Sequence, residues 1–278
     1  MHEALMQTEG NGLYCNHYVY PKPLKYHTSF YRDTHNDCEI LFFLRGNATY
    51  IIEDKRYKLR PYDLVIIRPS KYHWIQIDGD TDYERYNLLF PISVVGETLF
   101  EQLSSNREVI NCAENDRILS LFSNMEVYAS YGREAFLDLL PCLLKELFYN
   151  LIHLREESSS PSERVTPIVR QALRYINQNL YTISDIKEIS SALFVTETYF
   201  FRVFKEQMNI SPKKYITEKR LLAAEQRISA GERPTDVYLK CGFNTYPAFY
   251  KRYVSFFGRA PSVRQAEGDR RPYIQSLS

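Results

Sequence analysis

Arg202 and Lys251 occupy equivalent places in a stretch that the chain uses twice, and helix-borne cations can neutralise nucleic-acid phosphates. Phe194, Phe200, Arg202, Phe204, Asn209 and Pro212 recur as Phe243, Phe249, Lys251, Tyr253, Gly258 and Pro261, each pair 49 residues apart. Six matches at one spacing mark an internal repeat, which is read before local propensities. Each copy reads as a short helix, a tight turn, a second helix carrying the cation, and a proline that opens the next segment. That is a helix-turn-helix pattern, present twice.

The charge distribution agrees with this chemistry. Residues 1–164 hold 17 Lys+Arg against 24 Asp+Glu, about −7, while residues 165–278 hold 18 against 10, about +8. A basic half suits a nucleic-acid partner. A chance split of surface charge is the plainer reading, but the repeat lies wholly inside the basic half. No nucleophile–base pair and no phosphate-binding glycine loop is visible, so most enzyme classes lack support. The cysteines (Cys15, Cys38, Cys112, Cys142 and Cys241) are odd in number and form no CxxC pair. Neither a disulfide framework nor a zinc site follows, and a reducing cytoplasm is expected. No basic-then-apolar segment follows Met1 and no apolar run is long enough for a membrane span, so no membrane partner is expected.

The 278 residues suggest two domains. From about residue 39 to 90 the pattern is strand-like: Glu39–Leu44, Thr49–Ile52, Tyr57–Leu59, Leu64–Ile67 and Asn87–Phe90, punctuated by Arg45-Gly46-Asn47, Pro61, Pro69 and Pro91. Short strands so spaced predict an antiparallel sandwich or barrel. From about 96 to 153 the period becomes helical. Ile118, Leu121, Phe122 and Met125 form one stripe; Leu139, Leu143, Leu147 and Leu151 form another, with Pro141 placed to kink it. The second stripe packs on its own domain or pairs with a second copy. Glu156–Glu163 is polar and aperiodic and sits where the charge changes sign, so the linker is set at 154–165, with a sensing and dimerisation domain at 1–153 and a helical domain at 166–278.

Within the helical part, Thr166-Pro167 opens a helix, and Ile168, Ala172, Ile176 and Leu180 give it an apolar face. Thr182 or Ser184 is expected to cap the next helix, and Thr196 the one after. That one buries Tyr199, Phe200, Val203 and Phe204 and displays Thr198, Phe201, Arg202 and Lys205. Ser211-Pro212 starts a long connecting helix that Gly231 can end, and the second unit runs from near Thr235 through a turn at Gly242.

Residues 166–265 resemble the DNA-binding domain of the AraC/XylS family of transcription regulators. The resemblance is carried by Tyr199-Phe200, Arg202, Phe204-Lys205, Ser211-Pro212, Arg220-Leu221, Ala224, Gly242-Phe243, Phe249, Phe257-Gly258 and Pro261. It implies two helix-turn-helix units joined rigidly by a central helix, their recognition helices entering successive major grooves. By position, the DNA-facing residues would be Thr198, Phe201, Arg202 and Lys205 in the first unit. In the second they would be Asn244, Thr245, Tyr246, Pro247, Ala248, Tyr250 and Lys251. Arg202 would read guanine through its fork or, equally, contact a phosphate; Phe201 and Ala248 would touch a thymine methyl or merely pack. Three departures stand out. Ser190 and Tyr238 replace a usual alanine, with Tyr238 bulky enough to tilt the second unit; Asn209 replaces a glycine; and Pro247 fits only within the first turn of its helix.

The segment around His35–His73 resembles the cupin-like barrel that precedes this DNA-binding domain in many relatives, through His35, Glu39, Gly46, Pro61-Tyr62-Asp63, Pro69 and His73. The implied partner is a small effector, often a sugar, beside double-stranded DNA, RNA polymerase and a second copy of the chain. Arg32, His35, His73, Glu84 and Tyr86 are the pocket candidates, because polar residues interleaved with strand apolars can point inward. Asp33, His35, Glu39 and His73 approximate the metal set of cupin enzymes, with Asp33 where those have His. The DNA-binding relatives usually lack metal, so no metal or cofactor is expected. The leading reading is a non-catalytic, ligand-responsive transcription regulator, of carbohydrate or related genes. A metal-dependent cupin enzyme with a nucleic-acid-binding tail and a protein-interaction module are the alternatives.

Overall fold

A period-2 pattern gives every strand of the first half two distinct faces, and along Cys38–Phe43 and Asp63–Ile67 both faces are buried. The computed structural model describes residues 3–21, 34–77, 81–103, 107–154, 161 and 163–262, and divides between Glu163 and Arg164 into two units. In the first, β1 (Glu3–Gly10), β2 (Leu13–Tyr20), β3 (Cys38–Arg45), β6 (Asp63–Ile67), β8 (Tyr83–Phe90) and β9 (Val109–Asn111) form a sheet ordered β1-β2-β8-β3-β6-β9. In a second sheet β4 (Ala48–Ile52) lies between β5 (Lys55–Lys58) and β7 (His73–Ile77). Every one of these pairings is antiparallel.

Leu41, Phe43, Val65 and Ile67 on the large sheet meet Tyr50, Ile52, Ile75 and Ile77 on the small one and form the inner core. The alternate residues Ile40, Phe42, Leu64, Ile66 and Leu88 face the other way, onto α2 (Asp116–Ala129) and α3 (Arg133–His153); a short α1 (Glu97–Gln102) adds Leu99 and Phe100. Phe42 stacks on Phe122 with ring centroids 4.2 Å apart. Burial of each such side chain is worth roughly 1.5–3 kcal/mol. The predicted α2 stripe of Ile118, Leu121, Phe122 and Met125 is the buried one. On α3 the buried side is Phe136, Leu140, Leu143, Leu144, Leu147, Phe148 and Leu151, and Leu139 stands at its exposed edge, 36% accessible.

The second unit is all helix: α4 (Pro167–Gln178), α5 (Ile186–Ala192), α6 (Glu197–Met208), α7 (Pro212–Ser229), α8 (Pro234–Lys240) and α9 (Tyr246–Phe257). α5–α6 and α8–α9 are the two helix-turn-helix units. The expected class holds: a cupin-like antiparallel β-domain with following helices, then an all-α domain. α4 buries Val169, Ala172, Leu173 and Ile176, so its face is rotated slightly from the predicted one.

The structure corrects the register of the repeat. Phe194 aligns with Gly242, not Phe243, since both hold left-handed backbones, at φ 56° and 78°. Val195 and Phe243 each donate a backbone bond to the residue five before, Ser190 and Tyr238. The offset is therefore 48 through the turn and becomes 49 at the recognition helices, because Asn244 is one extra residue ahead of the Thr245 cap. Phe194 consequently adopts a conformation that costs a side-chain-bearing residue about 1–2 kcal/mol, with its ring 96% exposed. Phe194→Gly is expected to raise stability by roughly 0.5–1 kcal/mol, read as a higher urea midpoint. A lowered midpoint would mean that the ring makes contacts outweighing the strain.

Candidate nucleic-acid interface and ligand site

Capping fixes both recognition helices. α5 starts with a capping box: Lys187 N–H donates to Asp185 Oδ1 at 3.0 Å and Asp185 N–H to Glu188 Oε1 at 3.1 Å. Asp185, and not Thr182 or Ser184, is thus the cap. Hydrogen bonds from Ser184 hold the Glu188 carboxyl below its ordinary range. Thr196 caps α6 by accepting from Tyr199 N–H at 3.3 Å, and Thr245 caps α9 by accepting from Ala248 N–H at 3.4 Å. Pro247 lies in the first turn of α9, where no intrahelical N–H bond is needed. Asn209 and Gly258 end the two helices in the left-handed conformation, at φ 50° and 68°.

Phe200, Val203, Phe204 and Met208 bury one side of α6. Thr198, Phe201, Arg202 and Lys205 occupy the exposed side. Tyr199, expected in the core, is 44% exposed and lies beneath the Arg202 guanidinium, 5.6 Å from ring centroid to Cζ. Arg202 Nη1 also donates to Glu206 at 3.0 and 3.1 Å. An exposed i,i+4 pair contributes about 0.3–0.5 kcal/mol, so a base or phosphate displaces it easily. On α9, Phe249 and Tyr253 are buried while Asn244, Thr245, Pro247, Ala248, Tyr250 and Lys251 are exposed. Tyr246 is half-buried: it packs on Tyr238 and Phe249 at 5.7 and 5.9 Å. Tyr238 fits at the helix crossing by joining that cluster, and Ser190 by donating to Lys187 O at 3.0 Å.

α7 belongs to both units. Tyr215 packs edge-on against Phe204 of the first, and Leu221, Ala224 and Ile228 fill the core of the second. Between them Arg220 donates to Leu180 O (2.7 Å), Ile183 O (2.6 Å) and Gly242 O (2.8 Å). One guanidinium thereby ties the entry to α5 to the turn before α9. Sequence reasoning placed Arg220 in the family pattern but gave it no role. Beside it a cleft of ≈ 350 Å³ is lined by Lys213, Thr217, Arg220, Asn244, Ala248 and Arg252.

In the first unit His35 and His73 converge on one carboxylate. Glu39 Oε2 lies 3.0 Å from His35 Nε2 and 2.9 Å from His73 Nε2, with all three residues buried. Burial pushes the Glu39 carboxyl up, but His73 and His35 outweigh it and hold it well below the usual carboxylate range. Arg32 and Asp33 lie outside the described residues. Glu84 and Tyr86 are not neighbours of this group. They sit on the opposite face of the large sheet, because in β8 the odd-numbered residues share the inner row with Leu41 and Phe43 and the even-numbered ones turn to the helices. There His17 lies between Glu84 Oε1 (2.8 Å) and Glu126 Oε1 (2.5 Å), stacked on Tyr86 at 4.0 Å. The inner-face residues that sequence reading missed are Tyr14, Asn16, Arg85 and Asn87. Asn16 faces Asn87 across the β2–β8 ladder, and the Oδ1 of each accepts no hydrogen bond among the described residues. The missing signal was strand β2, whose Tyr14, Asn16, Tyr18 and Tyr20 alternate with Cys15, His17 and Val19.

The AraC-like ligand binding domain family matches residues 19–152, and a helix-turn-helix domain family matches residues 189–266. The chain belongs to the AraC/XylS family of transcription regulators. "Probable transcriptional regulator LumQ" of Photobacterium leiognathi is 25% identical over 83% of this chain and 90% of its own. The raffinose operon transcriptional regulatory protein RafR of Pediococcus pentosaceus is 23% identical over 73% and 75%, and the transcriptional activator RhaR of Cronobacter sakazakii 22% over 84% and 86%. The chain is accordingly a ligand-responsive, DNA-binding transcription regulator. Among its described residues no helix is long and apolar enough to cross a membrane.

Proposed function

We propose that this AraC/XylS-type chain is a non-catalytic, cytoplasmic regulator of carbohydrate-use genes, reading DNA through α6 and α9 under control of a small sugar-like effector held by the first unit. The observation that carries the reading is the pair of exposed, capped recognition faces fixed on the shared helix α7 by Arg220. Thr198, Phe201, Arg202 and Lys205 would contact one major groove. Asn244, Thr245, Tyr246, Pro247, Ala248, Tyr250 and Lys251 would contact the next. Lys213 and Arg252, at the cleft between the units, suit the phosphates that run between those grooves. The carbohydrate assignment leans on relatives named for raffinose and lactose operons, and on the inner-face asparagine pair, whose free acceptors suit hydroxyl donors. His35 and His73 remain effector candidates with them. A homodimer would use the exposed side of α2 and α3, where Val127, Leu139 and Tyr149 are 50%, 36% and 56% accessible, and promoter-bound protein would meet RNA polymerase.

Footprinting on promoter fragments tests the reading. The expected protection spans two successive grooves per chain, doubled for a dimer, and weakens steeply with salt. Protection without sequence preference at physiological salt would end it. Arg202→Ala is expected to lose roughly 1–3 kcal/mol of discrimination at particular base pairs, measured by competition among single-base variants. Equal weakening on every sequence would instead make Arg202 a phosphate contact.

A further inference from the structure

We propose that the cleft between the two helix-turn-helix units binds a small amphipathic organic anion, a ring or short chain bearing a phosphate or carboxylate, and that this ligand competes with DNA. The site is separate from the effector site assigned to the first unit; the competition rests on the reading of α9 as a DNA-facing helix. Three segments wall the cleft: the entry to α5, one side of α7, and the turn into α9. Its ≈ 350 Å³ lies at the low end of the about 300–1,000 Å³ of small-molecule clefts, enough for one ring and its anionic group. Arg220 ties two of the walls together through Ile183 O and Gly242 O, so the cavity is formed before a ligand arrives.

Charge points to an anion. Lys213, Arg220 and Arg252 set three cations on one cavity against a single carboxylate, Asp185, whose Oδ1 already caps α5. Neither Lys213 nor Arg252 forms an ion pair among the described residues. Burial and the nearby Arg252 charge hold the Arg220 guanidinium below its ordinary pKa, the mark of cations crowded without a counter-charge. The wall behind them points to an apolar body. Ile183, Ile216 and Phe243 are buried there, with Ile186 and Ala248 beside them. A bare phosphate answers the cations and leaves this wall in water, whereas an attached ring or chain covers it. Thr217 and the inserted Asn244 supply the few convergent polar groups that orient a ligand in such a cleft. Asn244 and Ala248 also stand on the exposed face of α9, so an occupied cleft takes from DNA two of its contacts and neutralises two phosphate-binding cations.

The test uses the full chain without DNA, titrated in a calorimeter with phenyl phosphate, inorganic phosphate and benzyl alcohol at equal ionic strength. Phenyl phosphate is expected to bind one per chain, at least about tenfold more tightly than either fragment. Arg252→Gln and Lys213→Gln should each weaken it about fivefold or more; both side chains are exposed, so neither change opens a core. Phenyl phosphate should then raise the apparent Kd of the unaltered chain for a promoter fragment to a greater extent than inorganic phosphate does. Equal binding of the two phosphates would reduce the cleft to a basic surface and overturn the site, and so would unchanged affinity in both variants. Binding that leaves DNA affinity untouched would overturn the competition. The calorimetry holds whether or not α9 reads bases, so its failure is distinct from a failed footprint.

Discussion

Arg220→Ala is expected to cost roughly 3–5 kcal/mol and to break the fixed spacing of the two recognition helices. The guanidinium donates to three backbone carbonyls, those of Leu180 and Ile183 and that of Gly242, which lies 62 and 59 positions further along the chain. Loss of the side chain leaves those acceptors facing the hole it vacates, at about 1–3 kcal/mol for each that water does not reach. A guanidinium fork is what spans acceptors from two helix-turn-helix units. Arg220→Lys should therefore rescue little. Gly242 explains why the fit is so close: a Cβ there would lie 2.5 Å from Tyr181 O and 2.9 Å from Arg220 Cζ, at a backbone φ of +78°. Two measurements separate the consequences. Urea unfolding reads the stability loss, and footprinting reads whether protection shrinks from two grooves to one. Unchanged stability with an intact two-groove footprint would show that α7 alone sets the spacing.

The sequence showed the duplicated unit because its signal lies in side chains that every helix-turn-helix must bury: Phe200 and Phe249, Phe204 and Tyr253, with the left-handed ends at Asn209 and Gly258. It hid the inserted Asn244 because Phe194 and Phe243 match by letter while differing in role: one ring is 96% exposed and the other 4%. In the first unit the five strands between residues 39 and 90 that the alternation marked were legible, and β1, β2, β7 and β9 were not, the last lying in a stretch read as helical. β2 is bounded by Asn11-Gly12 and Pro21, but it carries polar residues on both faces, so nothing in its alternation marked which side was inside. Glu84 and Tyr86 were misplaced for the same reason. A period of 2 assigns faces only relative to a neighbour, and the register of β8 against β3 is what puts Arg85 and Asn87 inside. His35, Glu39 and His73 come together from a loop, a strand and a strand start, and their sequence spacing alone gave no tautomer and no shared oxygen.

Glu225→Ala is expected to cost about 2–4 kcal/mol, and its damage should fall on the second helix-turn-helix alone. Glu225 is 7% exposed on α7 and accepts from Arg259 Nη2 at 2.5 Å, Ser229 Oγ at 3.2 Å and the Tyr253 hydroxyl. Burial and this carboxylate push the Tyr253 hydroxyl well above its ordinary pKa, so it remains a donor at any working pH. Tyr253 in turn packs on Phe249 and Phe257, with centroids 5.4 and 4.5 Å away, and so holds α9 against α7. Alanine at 225 strands that hydroxyl and frees Arg259, whereas Glu225→Gln keeps an acceptor for Tyr253 and should cost about 1 kcal/mol. A double-mutant cycle with Tyr253→Phe is expected to show a coupling of roughly 1–3 kcal/mol. Amide exchange should quicken in α9 and leave α6 protected, in contrast to Arg220→Ala, which loosens the junction between both units. Additive effects in the cycle, or equal exchange in the two recognition helices, would show that the carboxylate adds nothing to the seating of α9 and that aromatic packing alone holds it.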